Sequence, residues 1–138
     1  MKKIVLIIFT AFLTFAQNGL AAGYQYLSAE ELKGWLEASK SVLLVDIQEK
    51  NDFAAHHIKG SMETNAYPVK SDAERQAIAR AVSQAKDYEA VVVVCPRGKG
   101  GATRTYDYLK KMGVLEEKLS ILTGGMAKWP YQEWVEKK

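Results

Sequence analysis

A chain of 138 residues with one cysteine, Cys95, and two adjacent histidines, His56 and His57, is short of the side chains that staple or metallate small proteins. One thiol cannot close an internal disulfide, so the fold must stand on its apolar core, and Cys95 is present for packing or for chemistry. Neighbouring histidines diverge in extended or turn backbone, and no third one supplies a ligand, so no metal and no cofactor is expected. An excess of one charge sign is missing too. Lys plus Arg exceed Asp plus Glu by 19 − 16 = +3, and without Met1–Ala22, which carries only Lys2 and Lys3, the balance is 17 − 16 = +1. A domain so near neutrality lacks the basic stripe of a nucleic-acid binder, so no nucleic-acid partner is expected. Repeats and low-complexity tracts are absent, and the length fits one globular domain.

Long apolar runs are scarce, and the one from Ile4 to Ala16 follows Met1-Lys2-Lys3 and precedes Gln17-Asn18-Gly19-Leu20-Ala21-Ala22. A positive start, an apolar stretch shorter than a bilayer span and a small-residue end read as a secretory signal peptide. The expected organisation is a leader over residues 1–22, cleaved after Ala22, and a single domain over 23–138. The mature protein is then periplasmic or secreted and free of the membrane.

What the chain does have is concentrated between Val91 and Tyr108. Val91–Val94 are too apolar for water and too β-branched to favour a helix, and read as a strand buried on both faces. Cys95 follows, then Pro96-Arg97-Gly98-Lys99-Gly100-Gly101, then a helical run with Ala102, Tyr106, Leu109 and Met112 near one face. Glycines let backbone N–H groups converge, and the helix start adds its own unpaired N–H groups and positive dipole end. A thiol inside such a ring ionises more readily than a free one, and Arg97 and Lys99 act in the same direction. The stretch therefore reads as a nucleophile in an anion cradle.

The remaining segments alternate. Tyr24–Leu27 suits an edge strand, and Ser28 with Glu31 forms a capping box for a helix ending near Ala38. Val42–Asp46 is a second buried strand. Ser71 with Glu74 opens a helix whose face includes Ala77, Ile78, Ala81, Val82 and Ala85; Gly113 caps the helix after Cys95; Leu119–Leu122 is a last strand. Strands alternating with helices give an α/β fold, a parallel sheet covered on both faces with its ligand site at the strands' carboxyl ends, where Cys95 sits. Asp46 reads as a structural carboxylate bonded to loop N–H groups, and Trp129, Tyr131 and Trp134 as closing the core.

The Cys95–Gly101 loop resembles that of the rhodanese domain, a sulfurtransferase that carries sulfur as a persulfide on one loop cysteine. Asp46, Asp52, Phe53, His57, Ile58, Gly60 and Pro68 match a second family pattern, and Gly124-Gly125 with Trp129 a third. The resemblance implies a three-layer sandwich with a five-stranded parallel sheet and helices on both faces. It also implies Cys95 as catalytic residue and Pro96, Arg97, Gly98, Lys99, Gly100, Gly101 and Ala102 as the substrate-binding cradle. The partners it implies are a small anionic sulfur donor such as thiosulfate or polysulfide and a thiol or cyanide acceptor, with a homodimer left open.

Three positions depart from the pattern. Gln48 stands where arginine is common, which removes a buried ion pair, and His56 stands where glycine is usual. Gly113 lies one residue further from the cysteine than is usual, which we place in a seven-membered loop from Cys95 to Gly101. That length is found in the phosphatases and arsenate reductases of this fold. Those enzymes, however, place an arginine six residues after the cysteine, where this chain has Gly101. A sulfurtransferase is the leading expectation; a sulfur carrier with little turnover and an oxyanion enzyme are the alternatives.

Overall fold

A computed structural model describes residues 23–138; the leader read over residues 1–22 lies outside them. The elements run β1 (Tyr26–Leu27), α1 (Ala29–Glu37), β2 (Val42–Asp46), α2 (Lys50–Ala55), β3 (His57–Ile58), β4 (Met62–Glu63), α3 (Asp72–Ala77), α4 (Ala79–Gln84), β5 (Ala90–Val94), α5 (Gly100–Lys111), β6 (Leu119–Leu122) and β7 (Val135–Glu136). Five strands form one parallel sheet in the order β1-β6-β5-β2-β4, with β5 at its centre.

The valine run of β5 works as its composition demands. All five residues from Ala90 to Val94 are buried, and the pleat sends them alternately to two cores. Val91 and Val93 join Leu43, Val45 and Ile121 beneath Ile78, Ala81, Tyr106 and Leu109 of the α4 and α5 side. Val92 and Val94 join Leu44 and Leu122 against Leu32 of α1, Met126 and Trp129. Each fully buried valine contributes about 1.5 kcal/mol or more before entropy is counted. Val42↔Ala90 through Asp46↔Val94 pair in register, so the carboxyl ends of β2 and β5 lie side by side.

Both capping boxes form. Ser28 Oγ accepts from Glu31 N–H at 3.1 Å while Glu31 accepts from Ser28 N–H at 3.0 Å, and Ser71 and Glu74 make the same reciprocal pair. The helix expected from Ser71 through Ala85, however, is broken at Ile78, which ends α3 and begins α4. The ladder tightens there, Ile78 N–H bonding Arg75 C=O at 3.1 Å, and Ile78 is fully buried. Neither glycine nor proline marks the break; burial of Ile78 against the sheet accompanies it. Met112, expected on the buried face of α5, is instead 51% exposed, because the helix ends at Lys111 and the chain turns away at Gly113, φ +102°.

Trp129 is buried, and Tyr131 and Trp134 pack against the same core, as expected of core-closing aromatics. The chain end does more than close the core. Residues 135–136 pair antiparallel with β3, and Lys138 N–H donates to Ala54 C=O at 2.9 Å. His56 is exposed, whereas His57 is buried, stacked on Phe53 at 3.9 Å between ring centroids, with Nδ1 at 2.8 Å from the Phe53 carbonyl.

Candidate active site

β5 delivers Cys95 to the carboxyl edge of the sheet, and the chain then turns through 96–99 into α5. Gly98 makes the turn at φ +70°, a left-handed value at which glycine alone is unstrained, and its N–H donates to Cys95 Sγ at 2.7 Å. Among the described residues this is the only hydrogen bond the sulfur receives. Gly100 and Gly101, expected in the loop, are the first residues of α5. With no side chains to clash they allow the helix to start directly after Lys99, so the open turn is shorter than the sequence suggested. The N–H groups of Gly100, Gly101 and Ala102 are then first-turn donors without intrahelical acceptors.

Cys95 is only 2% exposed, yet it lines a cavity of about 90 Å³ together with Tyr67, Pro96, Arg97, Lys99, Gly100 and Gly101. Six of the eight residues expected at the site therefore share one small cavity. Gly98 serves it through its backbone, and Ala102 does not line it: that side chain is buried in the core with Tyr106 and Leu109. Arg97 and Lys99 are exposed and make no ion pair among the described residues, so their charge is available to a ligand.

Tyr67 is a further wall of the cavity, at a position no motif of the sequence marks. A methyl group at Gly101 would lie 2.9 Å from the Tyr67 ring and 3.2 Å from Ile47 Cδ1, so the absence of a side chain at 101 is what lets Tyr67 close over the helix start. Tyr67 stands on a segment held by its own N–H to Ile47 C=O at 2.9 Å, a contact with no local sequence signature.

The second support is the Gly124-Gly125 turn after β6. Met126 N–H donates to Cys95 C=O at 2.8 Å and Ala127 N–H to Pro96 C=O at 2.9 Å. The cysteine loop is thus hydrogen-bonded from behind by a neighbouring turn, and its backbone is fixed independently of any substrate.

Beside the site, Asp46 is fully buried and accepts from Gln48 N–H at 2.8 Å and from Gln48 Nε2 at 3.0 Å. Gln48 Nε2 also donates to His56 C=O at 3.1 Å. The neutral amide thus satisfies the geometry but supplies no positive charge. Burial raises the Asp46 carboxyl from 3.8 to about 6, against the lowering effect of the two Gln48 hydrogen bonds and of His57. The folded protein therefore binds this proton more tightly than the unfolded chain, and stability from Asp46 rises as pH falls from above 6 towards 4. The difference is on the order of 3 kcal/mol between the two ends of that window. Urea unfolding of wild type and Asp46→Asn at pH 4.5 and 7 is expected to show the variant gaining relative stability at pH 7; parallel pH profiles would overturn this reading.

A model of the rhodanese-like domain family matches residues 28–131, and the chain belongs to that family. The fold is similar to the solution structure of a rhodanese-like domain from Anabaena sp. at 19% identity and TM-score 0.64, covering 84% of this chain and 81% of that one. It is also similar to the As-Sb reductase of Leishmania major, at 19% identity and TM-score 0.59 over 78% and 77% of the two chains. Thiosulfate sulfurtransferase from Pseudomonas aeruginosa is similar at 18% identity and TM-score 0.57, over 83% of this chain and 20% of that one. At these identities the likeness is one of fold. Comparison with curated proteins yields no match.

Proposed function

We propose that the protein is a sulfurtransferase that moves sulfane sulfur through a persulfide on Cys95. The observation that carries this reading is the Gly98 N–H at 2.7 Å from Sγ, in a cavity rimmed by Arg97 and Lys99. An N–H aimed at sulfur stabilises thiolate over thiol, and the same donor stabilises a persulfide anion. In the first half-reaction the Cys95 thiolate attacks the outer sulfur of thiosulfate, the S–S bond to sulfite breaks with its electron pair, and sulfite leaves. In the second, an acceptor thiolate attacks the outer sulfur of Cys95–S–S⁻ and regenerates the Cys95 thiolate, so no net oxidant is needed. Polysulfide enters by the same attack with a shorter polysulfide leaving. No separate base is required once the thiol is ionised.

The cavity volume supports a small donor, and the leader-like pattern read in residues 1–22 supports action in the periplasm or outside the cell. An oxyanion enzyme is the weaker reading: an arginine at 101 would have to displace Tyr67 and Ile47, leaving no room for the bidentate clamp such chemistry uses. Intact mass spectrometry after incubation with thiosulfate or polysulfide tests the proposal, with the expected gain of one or more sulfur atoms lost on adding a thiol or cyanide. No gain with either donor would overturn it. Arg97→Ala and Lys99→Ala are each expected to raise KM for thiosulfate about three- to tenfold while changing KM for a neutral organic trisulfide less than twofold. Equal losses on both donors would mean that the two cations shape the loop instead of binding substrate.

A further inference from the structure

Arg104 stands one helical turn beyond Gly100 on α5, and side chains of a helix lean back over the preceding turn. Its Nε donates to the Pro68 carbonyl at 2.9 Å. Its guanidinium lies across Gly100: a methyl group there would be 2.9 Å from Nη1 and 3.4 Å from Nη2. Gly100 lines the Cys95 cavity, and so does Tyr67, the residue before Pro68. Arg104 is partly buried, yet neither Nη makes a hydrogen bond or ion pair among the described residues. One donor thus anchors the group while the fork's two outer nitrogens stay uncommitted. The side chain lines a neighbouring cavity with Asp72, Arg75 and Asp107 and meets the Cys95 cavity across Gly100, which belongs to that cavity's wall. A carbonyl-anchored guanidinium is preorganised, so little further side-chain entropy is lost when oxygen atoms bind it.

Position 101 holds no side chain and has no space for one. We propose that Arg104, reaching back from the second turn of α5, is a specificity-determining residue that adds a third cation to the Cys95 site and receives the oxyanion end of the sulfur donor. Its meaning for catalysis rests on the sulfur-transfer reading, but its charge at the cavity can be measured without it. Arg97 and Lys99 line the Cys95 cavity directly, whereas Arg104, held at the Pro68 carbonyl, meets it across Gly100, and the proposal places the donor's oxyanion end at that Gly100 face.

Two alkylating agents of nearly the same shape, anionic iodoacetate and neutral iodoacetamide, report the local field at Cys95. Their second-order rates on the full domain are followed by intact mass at neutral pH and low salt. Arg104→Gln is expected to lower the iodoacetate-to-iodoacetamide rate ratio about three- to tenfold. Arg75→Gln, in which the lost guanidinium was already committed to Asp72 and the Lys70 carbonyl, is expected to leave the ratio within about twofold. Arg104→Lys keeps the charge but loses the fork; it is expected to hold the ratio within about twofold and to raise KM for thiosulfate about threefold or more. An unchanged ratio in Arg104→Gln, or equal changes in both rates, would mark Arg104 as a mere brace of the Pro68 segment and overturn the proposal. If Arg104→Gln does not fold by circular dichroism, the KM of Arg104→Lys decides, an unchanged value overturning it. Failure of wild type to take up sulfur would instead remove the sulfur-transfer reading, and the alkylation ratio would then decide by itself whether Arg104 acts on the cavity.

Discussion

Cys95→Ser is expected to lose sulfur transfer by at least about a thousandfold while the domain unfolds at nearly the wild-type urea concentration. A serine hydroxyl stays protonated at neutral pH and attacks a sulfane sulfur poorly, so the chemical step fails even though the turn persists. The turn persists because the hydroxyl oxygen can still accept the Gly98 N–H, and because the backbone of Cys95 and Pro96 is held by Met126 and Ala127 N–H, which the substitution does not touch. Since Cys95 is 2% exposed and small, the exchange leaves no large cavity and costs on the order of 1 kcal/mol. The checks are steady-state transfer from thiosulfate to cyanide and the mass gain on incubation with donor. Retention of either by the serine variant would remove Cys95 from the mechanism.

Gly125→Ala is expected to destabilise the protein by about 3 kcal/mol or more and to abolish most activity without touching any side chain of the cavity. Gly125 has φ +56° and ψ −155°, a backbone region essentially reserved for glycine. A methyl group there would overlap the Cys95 carbonyl oxygen and lie 2.7 Å from Arg97 N. Both obstacles are backbone, so relief requires that the two turns part, breaking the Met126-to-Cys95 and Ala127-to-Pro96 hydrogen bonds. Gly113→Ala is the matching control: φ is +102° but nothing lies within 4 Å, so only the dihedral strain remains and a loss of about 1 kcal/mol is expected. Equal urea midpoints for the two variants would show that the turn-on-turn contact does not support the cysteine loop. Gly98 is bounded in the same way, its missing side chain facing Gly124 N at 2.8 Å, so the two glycines belong to one contact seen from opposite sides.

The four valines before Cys95 determine a central strand because no other placement removes all of them from water, and the pleat then assigns them to two cores without further information. The capping boxes at Ser28 and Ser71 are equally local: three residues and a hydrogen-bond rule suffice. The candidate nucleophile was legible for the same reason, since cysteine, cations and glycines are adjacent in the chain. The break at Ile78 had no such signal, because what accompanies it is burial against the sheet and not a residue type. The start of α5 at Gly100 was missed because glycine has low helix propensity, which the packing of Tyr67 over Gly101 overrides.

Periodicity and adjacency along the chain were therefore enough for the alternating parallel fold and the candidate cysteine loop, and the motif resemblance for the family. The cavity wall at Tyr67, the support from Gly125, the neutral Gln48 partner of buried Asp46 and the reach of Arg104 across Gly100 emerge only once the chain has packed. Each of these joins residues far apart in the chain or depends on how a side chain leans. Hydrogen-bond reach and excluded volume are properties of positions in space, which no local pattern of residue types encodes.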